Sequence, residues 1–246
     1  MLVIFVKPGR KQYRKQESMN KIKVIITGVT GMIGEGVLHE CLNHQNIVEV
    51  LVVTRKATGY THHKLTEIVH EDFFDLNSIR EKLTGYDACY FCLGVSSVGM
   101  NEEKYTRLTY DLTLSFANVL ADQNLGMTFC YISGAGTDSS ESGRSMWARV
   151  KGRTENDLMK LPFKKVYNLR PGGIEPFLPL RPTQSYYKTY KYLKVIFVVM
   201  KWMAPGLIIS LKDLAAAMIN ASLIGYSKQI LEIKDMKQLA QANFKK

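Results

Sequence analysis

Three stretches of this chain combine residue types and spacings that do chemistry. The first, "TGVTGMIG" (27–34), sets Gly28, Gly31 and Gly34 three apart between a β-branched run and a helical one. In that setting Gly28 permits a tight turn and Gly31 lets backbone approach a pyrophosphate. Gly34 lets the helix pack closely on the sheet. Thr30 lies in the turn, and the free amides of Met32 and Ile33, with the helix dipole behind them, favour phosphate charge. The second stretch, "VVTRKAT" (52–58), ends the next strand-like run with Arg55 and Lys56 and no carboxylate. A site selective for NAD(H) places an acidic residue there for the ribose hydroxyls. A planar, permanently charged guanidinium instead suits an adenosine 2′-phosphate. NADP(H) is therefore the expected cofactor, ahead of NAD(H). The third stretch sets Ser133 at the end of a strand-like run and Trp147 four residues before Lys151. The i,i+4 spacing puts tryptophan and lysine on one helix face.

These residues need a frame. From residue 22, short β-branched runs alternate with helical ones. Strands are expected at 23–28, 48–55, around 68–69, and at 88–94, 127–134 and 165–172. Helices are expected at 32–44, 77–83, 105–122 and 146–160. Strands rich in Val, Ile, Tyr and Cys without strict polar alternation suit a parallel sheet covered on both faces. The pattern predicts a doubly wound α/β domain, the NAD(P)-binding Rossmann arrangement, over residues 21–246.

The assembled motifs resemble the short-chain dehydrogenase/reductase superfamily, in particular its atypical and extended members. The likeness extends over about residues 22–235, through "TGVTGMIG", "EDFFD" (71–75), "CLGVSS" (92–97), "YISGAGTD" (131–138) and "LRPGGIEP" (169–176). Among atypical members it is most similar to the Tat-interacting oxidoreductase group and to bacterial nucleoside-diphosphate-sugar epimerase-like proteins. The resemblance implies that Asp72 and Phe73 lie beside the adenine and that Leu93, Gly94 and Val95 line the ribose side. It implies that Pro171, Gly172 and Ile174 flank the nicotinamide. Ser133 and Lys151 match the family's catalytic serine and lysine, the lysine also holding the nicotinamide ribose. Where the family carries Tyr-x-x-x-Lys, however, this chain has Trp147-x-x-x-Lys151. A phenol beside a cation can donate or accept a proton. An indole N–H donates a hydrogen bond but has no accessible deprotonated form. Either the protein binds cofactor without turnover, as a sensor or regulatory protein, or another donor serves: Ser133, Tyr186, Tyr187 or a water held by Lys151.

Beyond "PGGIEP" the alternation stops, and residues 175–210 are expected to build a substrate cap. "SYYKTYKYLK" (185–194) interleaves tyrosine with lysine, and Val195, Val198, Val199, Trp202 and Met203 form one helical stripe. Lys201 and Pro205–Gly206 interrupt it, short of a membrane span. A cap or subunit-interface helix is the leading reading, and membrane-surface contact through 186–209 a lesser one. Ser210, three before Asp213, is a cap-like start for a late helix, and 229–233 reads as the last strand. The net charge of +11 includes +4 from residues 1–18. A basic surface favours anionic ligands without choosing among them, and the Tyr/Lys run lacks a nucleic-acid-binding module, so a small-molecule substrate is the expected partner. Residues 1–20 are expected to form a disordered extension with the natural start at Met19, since the apolar run 2–6 is too short for a secretion signal. Cys89 and Cys92, three apart on a strand, point to opposite faces and cannot chelate together. Nor do the five histidines form a ligand set, so no metal is expected. Free cysteines without a secretion signal suggest a cytoplasmic protein.

Overall fold

The computed structural model describes residues 21–176 and 205–242. The β-branched runs pair as seven parallel strands in the order β3-β2-β1-β4-β5-β6-β9. These are β1 (Ile22–Thr27), β2 (Ile47–Thr54), β3 (Leu65–Val69), β4 (Ala88–Phe91), β5 (Thr128–Ile132), β6 (Lys165–Leu169) and β9 (Ile230–Leu231). Both faces are buried, as the near-continuous apolar strands predict. Val24, Ile26, Val50, Val52 and Tyr90 pack on one side with α1 (Met32–Asn43), α5 (Leu211–Ile224) and α6 (Ile233–Ala240). Ile25, Leu51, Phe91, Phe129 and Tyr131 pack on the other. There they meet a 3₁₀ turn (Asn77–Leu83), α3 (Leu112–Gln123) and α4 (Met146–Leu158). Chain order reverses between β1 and β4, and the crevice outside the strand ends at such a reversal is where open α/β sheets bind ligands.

The local chemistry explains most boundaries. Ser210 caps α5 by accepting from the Asp213 amide at 3.0 Å, as expected. The last strand is only two residues long, because Glu232 and Asp235 form a capping box that starts α6 instead. Residues 77–83 wind as 3₁₀ and not α; so short a segment, anchored by Ile79 and Leu83, cannot sustain an α-helix on its own. The helix expected at 105–122 begins earlier, as α2 (Glu102–Thr106), and passes through a π turn (Arg107–Asp111) into α3. That turn is tied to α4: the Tyr110 hydroxyl donates to Asp157 at 2.6 Å, and Arg153 lies 4.3 Å from the Tyr110 ring centroid. A separate parallel pair, β7 (Gly173–Glu175) and β8 (Ile208–Ser210), was not foreseen. It brackets the expected cap, of which residues 177–204, including Tyr186, Tyr187 and the apolar stripe, lie outside the described residues. No described helix is long and apolar enough to cross a membrane, and no metal-binding cluster of His, Cys, Asp or Glu occurs among the described residues. Cys89 and Cys92 do serve opposite core layers, and all four cysteines are free.

Helix α4 sits unusually close to the turn before it. A Cβ on Gly152 would fall 1.8 Å from the Asp138 carbonyl oxygen, and the Asp138 amide donates to Ala148 O at 3.1 Å. Gly152→Ala should therefore lower the unfolding free energy by about 1–3 kcal/mol, the cost of overpacking. Urea denaturation checks this, and an unchanged midpoint would contradict the close approach.

Candidate active site

The turn from β1 into α1 forms a cradle with no room for side chains beneath it. Gly28 has φ +72°, and a Cβ there would lie 2.6 Å from the Cys92 carbonyl carbon and oxygen at the end of β4. A Cβ on Gly34 would meet the Gly28 oxygen at 2.3 Å. Gly31 is different, meeting only that oxygen at 3.3 Å and being exposed. Two glycines thus let the backbone fold on itself, and the third leaves the outer side bare. Gly31 caps α1 without a side-chain hydrogen bond, so the first-turn amides of Met32, Ile33 and Gly34 lack intrahelical partners.

Beside this cradle lies a cleft of about 530 Å³ lined by Gly28, Thr30, Val53, Thr54, Arg55, Lys56, Glu71, Phe73 and Leu93. Arg55 and Lys56 are exposed, on a turn pinned from both ends. Thr54 donates its hydroxyl to Lys56 O at 3.0 Å, and the Thr58 amide and hydroxyl both donate to Glu67. Phe73 forms the floor, stacked on Phe116 with ring centroids 5.6 Å apart. Asp72 itself does not line the cleft; its carboxylate accepts from the Phe74 amide at 2.8 Å and shapes the turn. The acidic residue in the lining is Glu71. It follows β3, whereas the sequence argument sought a carboxylate at the end of β2, which β3 flanks in the sheet. Gly94 and Val95 are exposed just beyond Leu93.

The second half of the site lies at the ends of β5 and β6. Ser133 is buried, and its hydroxyl donates to Leu169 O at 3.1 Å. A carbonyl can only accept, so here the hydroxyl proton points to the neighbouring strand end. Lys151 is partly buried with its ammonium turned inward, donating to Ile132 O at 3.3 Å and to Ser133 O, and lying 5.7 Å from the Tyr131 ring centroid. Desolvation pulls its pKa down to about 8, and Glu155 opposes that shift. The Trp147 indole lies against the Gly134–Gly136 turn, since a Cβ on Gly136 would be 3.6 Å from its Cη2. It walls the site and supplies no titrating group.

Sequence reading missed the ion pair behind Lys151. Glu155 is fully buried and accepts from Arg170 Nε at 3.0 Å and Nη2 at 2.5 Å. The i,i+4 spacing of Lys151 and Glu155 was available as a signal, but the Arg170 partner was not. Pro171 is buried, and its carbonyl accepts from the Ala135 amide at 2.8 Å, joining the two strand ends. Gly172 is pressed against Leu207, where a Cβ would meet the carbonyl oxygen at 2.6 Å. The side chain of Ile174 is in the α1-side core, paired in register with Ile209, and is not offered to the cleft.

Sheet order, glycine cradle and flanking cleft define a Rossmann fold with a ligand crevice where chain order reverses between β1 and β4. Residues 24–142 match the NAD dependent epimerase/dehydratase family, whose cofactor class is a nicotinamide dinucleotide. Among curated relatives, protein fmp52-1, mitochondrial, of Aspergillus oryzae is 28% identical over 155 residues, 61% of this chain and 64% of its own length. Protein HTATIP2 of Rattus norvegicus is 26% identical over 161 residues, 65% of each chain. The match thus spans just under two thirds of these relatives. Of solved structures, the ADP-L-glycero-D-manno-heptose-6-epimerase of Helicobacter pylori is similar in fold, with a TM-score of 0.62 at 15% identity over 92% of this chain and 83% of its own. WbmF of Bordetella bronchiseptica, in complex with NAD+, gives 0.61 at 13% identity over 89% and 77%. The relatives overturn the expectation of a cytoplasmic protein, because the FMP52 proteins of Aspergillus oryzae and Meyerozyma guilliermondii are both named mitochondrial.

The residues present fit such a cofactor: a cradle closed to side chains, unpartnered first-turn amides and a cleft with cations at its far end. The lysine gives an independent check on the geometry. Its folded pKa of about 8 lies below the ordinary 10.5, so between those values the folded chain binds fewer protons than the unfolded one. Lys151 therefore disfavours folding most below pH 8, and stability should rise with pH across that window. The unfolding free energy of the native chain minus that of Lys151→Met should climb from pH 8 to 10; a flat difference would show that the ammonium is not desolvated.

Proposed function

We propose that the chain is an NADP(H)-binding protein of the atypical short-chain dehydrogenase/reductase type, acting as an oxidoreductase or epimerase on a carbonyl, alcohol or sugar derivative. The observation that carries this reading is the pinned turn presenting Arg55 and Lys56 to the cleft beside the glycine cradle. The diphosphate would rest on the amides of Met32, Ile33 and Gly34. The 2′-phosphate would meet the Arg55 guanidinium, with Lys56 adding charge. Phe73 and Leu93 would wall the adenosine, and Lys151 would hold the nicotinamide ribose. The ends of β5 and β6 around Ser133, Pro171 and Gly172 would flank the nicotinamide.

When bound, the nicotinamide ring supplies or accepts a hydride. If a carbonyl carbon gains that hydride, its oxygen must gain a proton, from a side chain or from a water held by one. Trp147 has none to give, and the Ser133 hydroxyl is engaged with Leu169. Lys151 Nζ has three hydrogens and two carbonyl partners; the third would go to the ribose hydroxyl it holds, and that hydroxyl's own proton would pass to the oxygen. Once neutral, the amine would be reprotonated from solvent, and the reverse transfer would serve alcohol oxidation. A desolvated ammonium with its pKa near 8 suits either direction at neutral pH. The alternative reading, a non-catalytic NADP(H) sensor, is favoured by one observation: the indole at the tyrosine position lies on the Gly134–Gly136 turn. The names of the FMP52 relatives support a mitochondrial setting.

Two measurements test this. NADPH should bind more tightly than NADH by calorimetry, and Arg55→Ala should erase about tenfold to a hundredfold of NADPH affinity, the worth of hydrogen bonds to a charged group. Equal affinities in the native protein would remove the 2′-phosphate assignment. Incubation with NADPH and a carbonyl panel, beside Trp147→Tyr, separates the readings: native turnover eliminates the sensor, and turnover gained only by the variant favours it.

A further inference from the structure

Behind the strand ends, Lys151, Glu155 and Arg170 form a row of alternating charge. Lys151 and Glu155 are one turn apart on α4, and Arg170 reaches across from the end of β6. Arg170 grips Glu155 with two nitrogens, donates from Nη2 to Ser139 Oγ at 2.6 Å and lies 3.5 Å from Glu232 at the start of α6. The clamp therefore ties together β6, α4, the turn after β5 and α6. A pair needed only for bracing has little reason to be ionic, since burying two charges costs about as much as their attraction returns. The pair's neighbour gives it another use. Among the described residues, the Lys151 ammonium has only backbone carbonyls and the Tyr131 ring for direct company, and neither carries a full charge to offset its desolvation.

We infer that Glu155 is a positioning residue: fixed by Arg170, it supplies the buried negative charge that keeps Lys151 an ammonium aimed at the carbonyl end of β5. The groups around the row agree with this. From β5, Tyr131 is held neutral, its pKa pushed up by burial and further by Tyr105 of α2 and by Glu155. From β6, Arg170 is bound up with Glu155 and, at the rim, with Glu232. Among the described residues, Glu155 is thus the carboxylate that raises the pKa of Lys151, against the lowering by burial. Trp147 adds no titrating group, so the charge beside the lysine is that of the Glu155 carboxylate. The inference rests on the reading of Lys151 as the proton donor, but its test needs no cofactor and no turnover.

The full-length chain, labelled with ¹³Cε-lysine, would be titrated by NMR, the Lys151 signal being assigned by its loss in Lys151→Arg. The native signal should titrate near pH 8, and in Glu155→Gln its midpoint should fall by about one unit, a tenfold increase in acidity. The amide still accepts from Arg170, so bracing alone predicts an altered melting temperature with Lys151 unmoved. If Glu155→Gln does not fold, Glu155→Met with Arg170→Met removes the whole pair, a change buried ion pairs often tolerate, and the Lys151 midpoint should still fall. An unshifted midpoint in whichever variant folds would overturn the inference. Absence of turnover in the native protein, with the shift present, would instead reject only the catalytic reading.

Discussion

The chain passes from β1 into α1 through Gly28, where a Cβ would collide with the Cys92 carbonyl of the adjacent strand end and the backbone takes φ +72°. Everything at the site depends on that approach. It brings the amides of α1 to the point where chain order reverses between β1 and β4, and packs Gly34 onto the Gly28 carbonyl. Only then do the end of β2, with Arg55 and Lys56, and the residues after β3, with Glu71 and Phe73, form a cleft continuous with the cradle. An anion placed there meets oriented N–H groups already fixed by the fold, so little reorganisation is needed on binding.

The other end of the crevice solves a different problem. Lys151 is drawn inward because Gly152 lets α4 sit against the Asp138 backbone, leaving the ammonium facing carbonyls at the end of β5. Bringing a cation into that position costs free energy, visible as the lowered pKa, and the Glu155–Arg170 clamp limits the loss. Trp147 closes the same region by packing on the Gly134–Gly136 turn. The two halves therefore differ in kind: one is a backbone device for phosphate charge, the other a side-chain arrangement for a proton.

Much of this was legible in the amino-acid order because it depends on short-range rules. Alternating β-branched and helical runs revealed the parallel sheet, and the glycine spacing located the cradle. The Ser210–Asp213 spacing marked the start of α5, with the expected hydrogen bond. Long-range pairing was not legible. Glu155 and Arg170 are fifteen residues apart on different elements, and nothing local shows that one would clamp the other. Glu71 reaches the cleft because β3 flanks β2, a fact of sheet order and not of spacing. The Glu232–Asp235 capping box was local, but its first residue stood inside the run 229–233 that read as strand. Ser133 stands at the end of β5 as its place in the sequence suggested, but the hydrogen bond of its hydroxyl to Leu169 joins two strands and is a long-range fact.

In the proposed function, a nicotinamide dinucleotide would lie across the ends of β1 and β4 with its diphosphate on the first turn of α1. Amide chemical-shift mapping during an NADPH titration tests it most directly. The largest perturbations should fall at the backbone N–H groups of Met32, Ile33 and Gly34, with smaller ones at Arg55, Phe73 and Leu93. Perturbations confined to the opposite end of the sheet, at the second cleft around Lys164, Ser222 and Tyr226, would contradict it. So would a spectrum unchanged at millimolar cofactor.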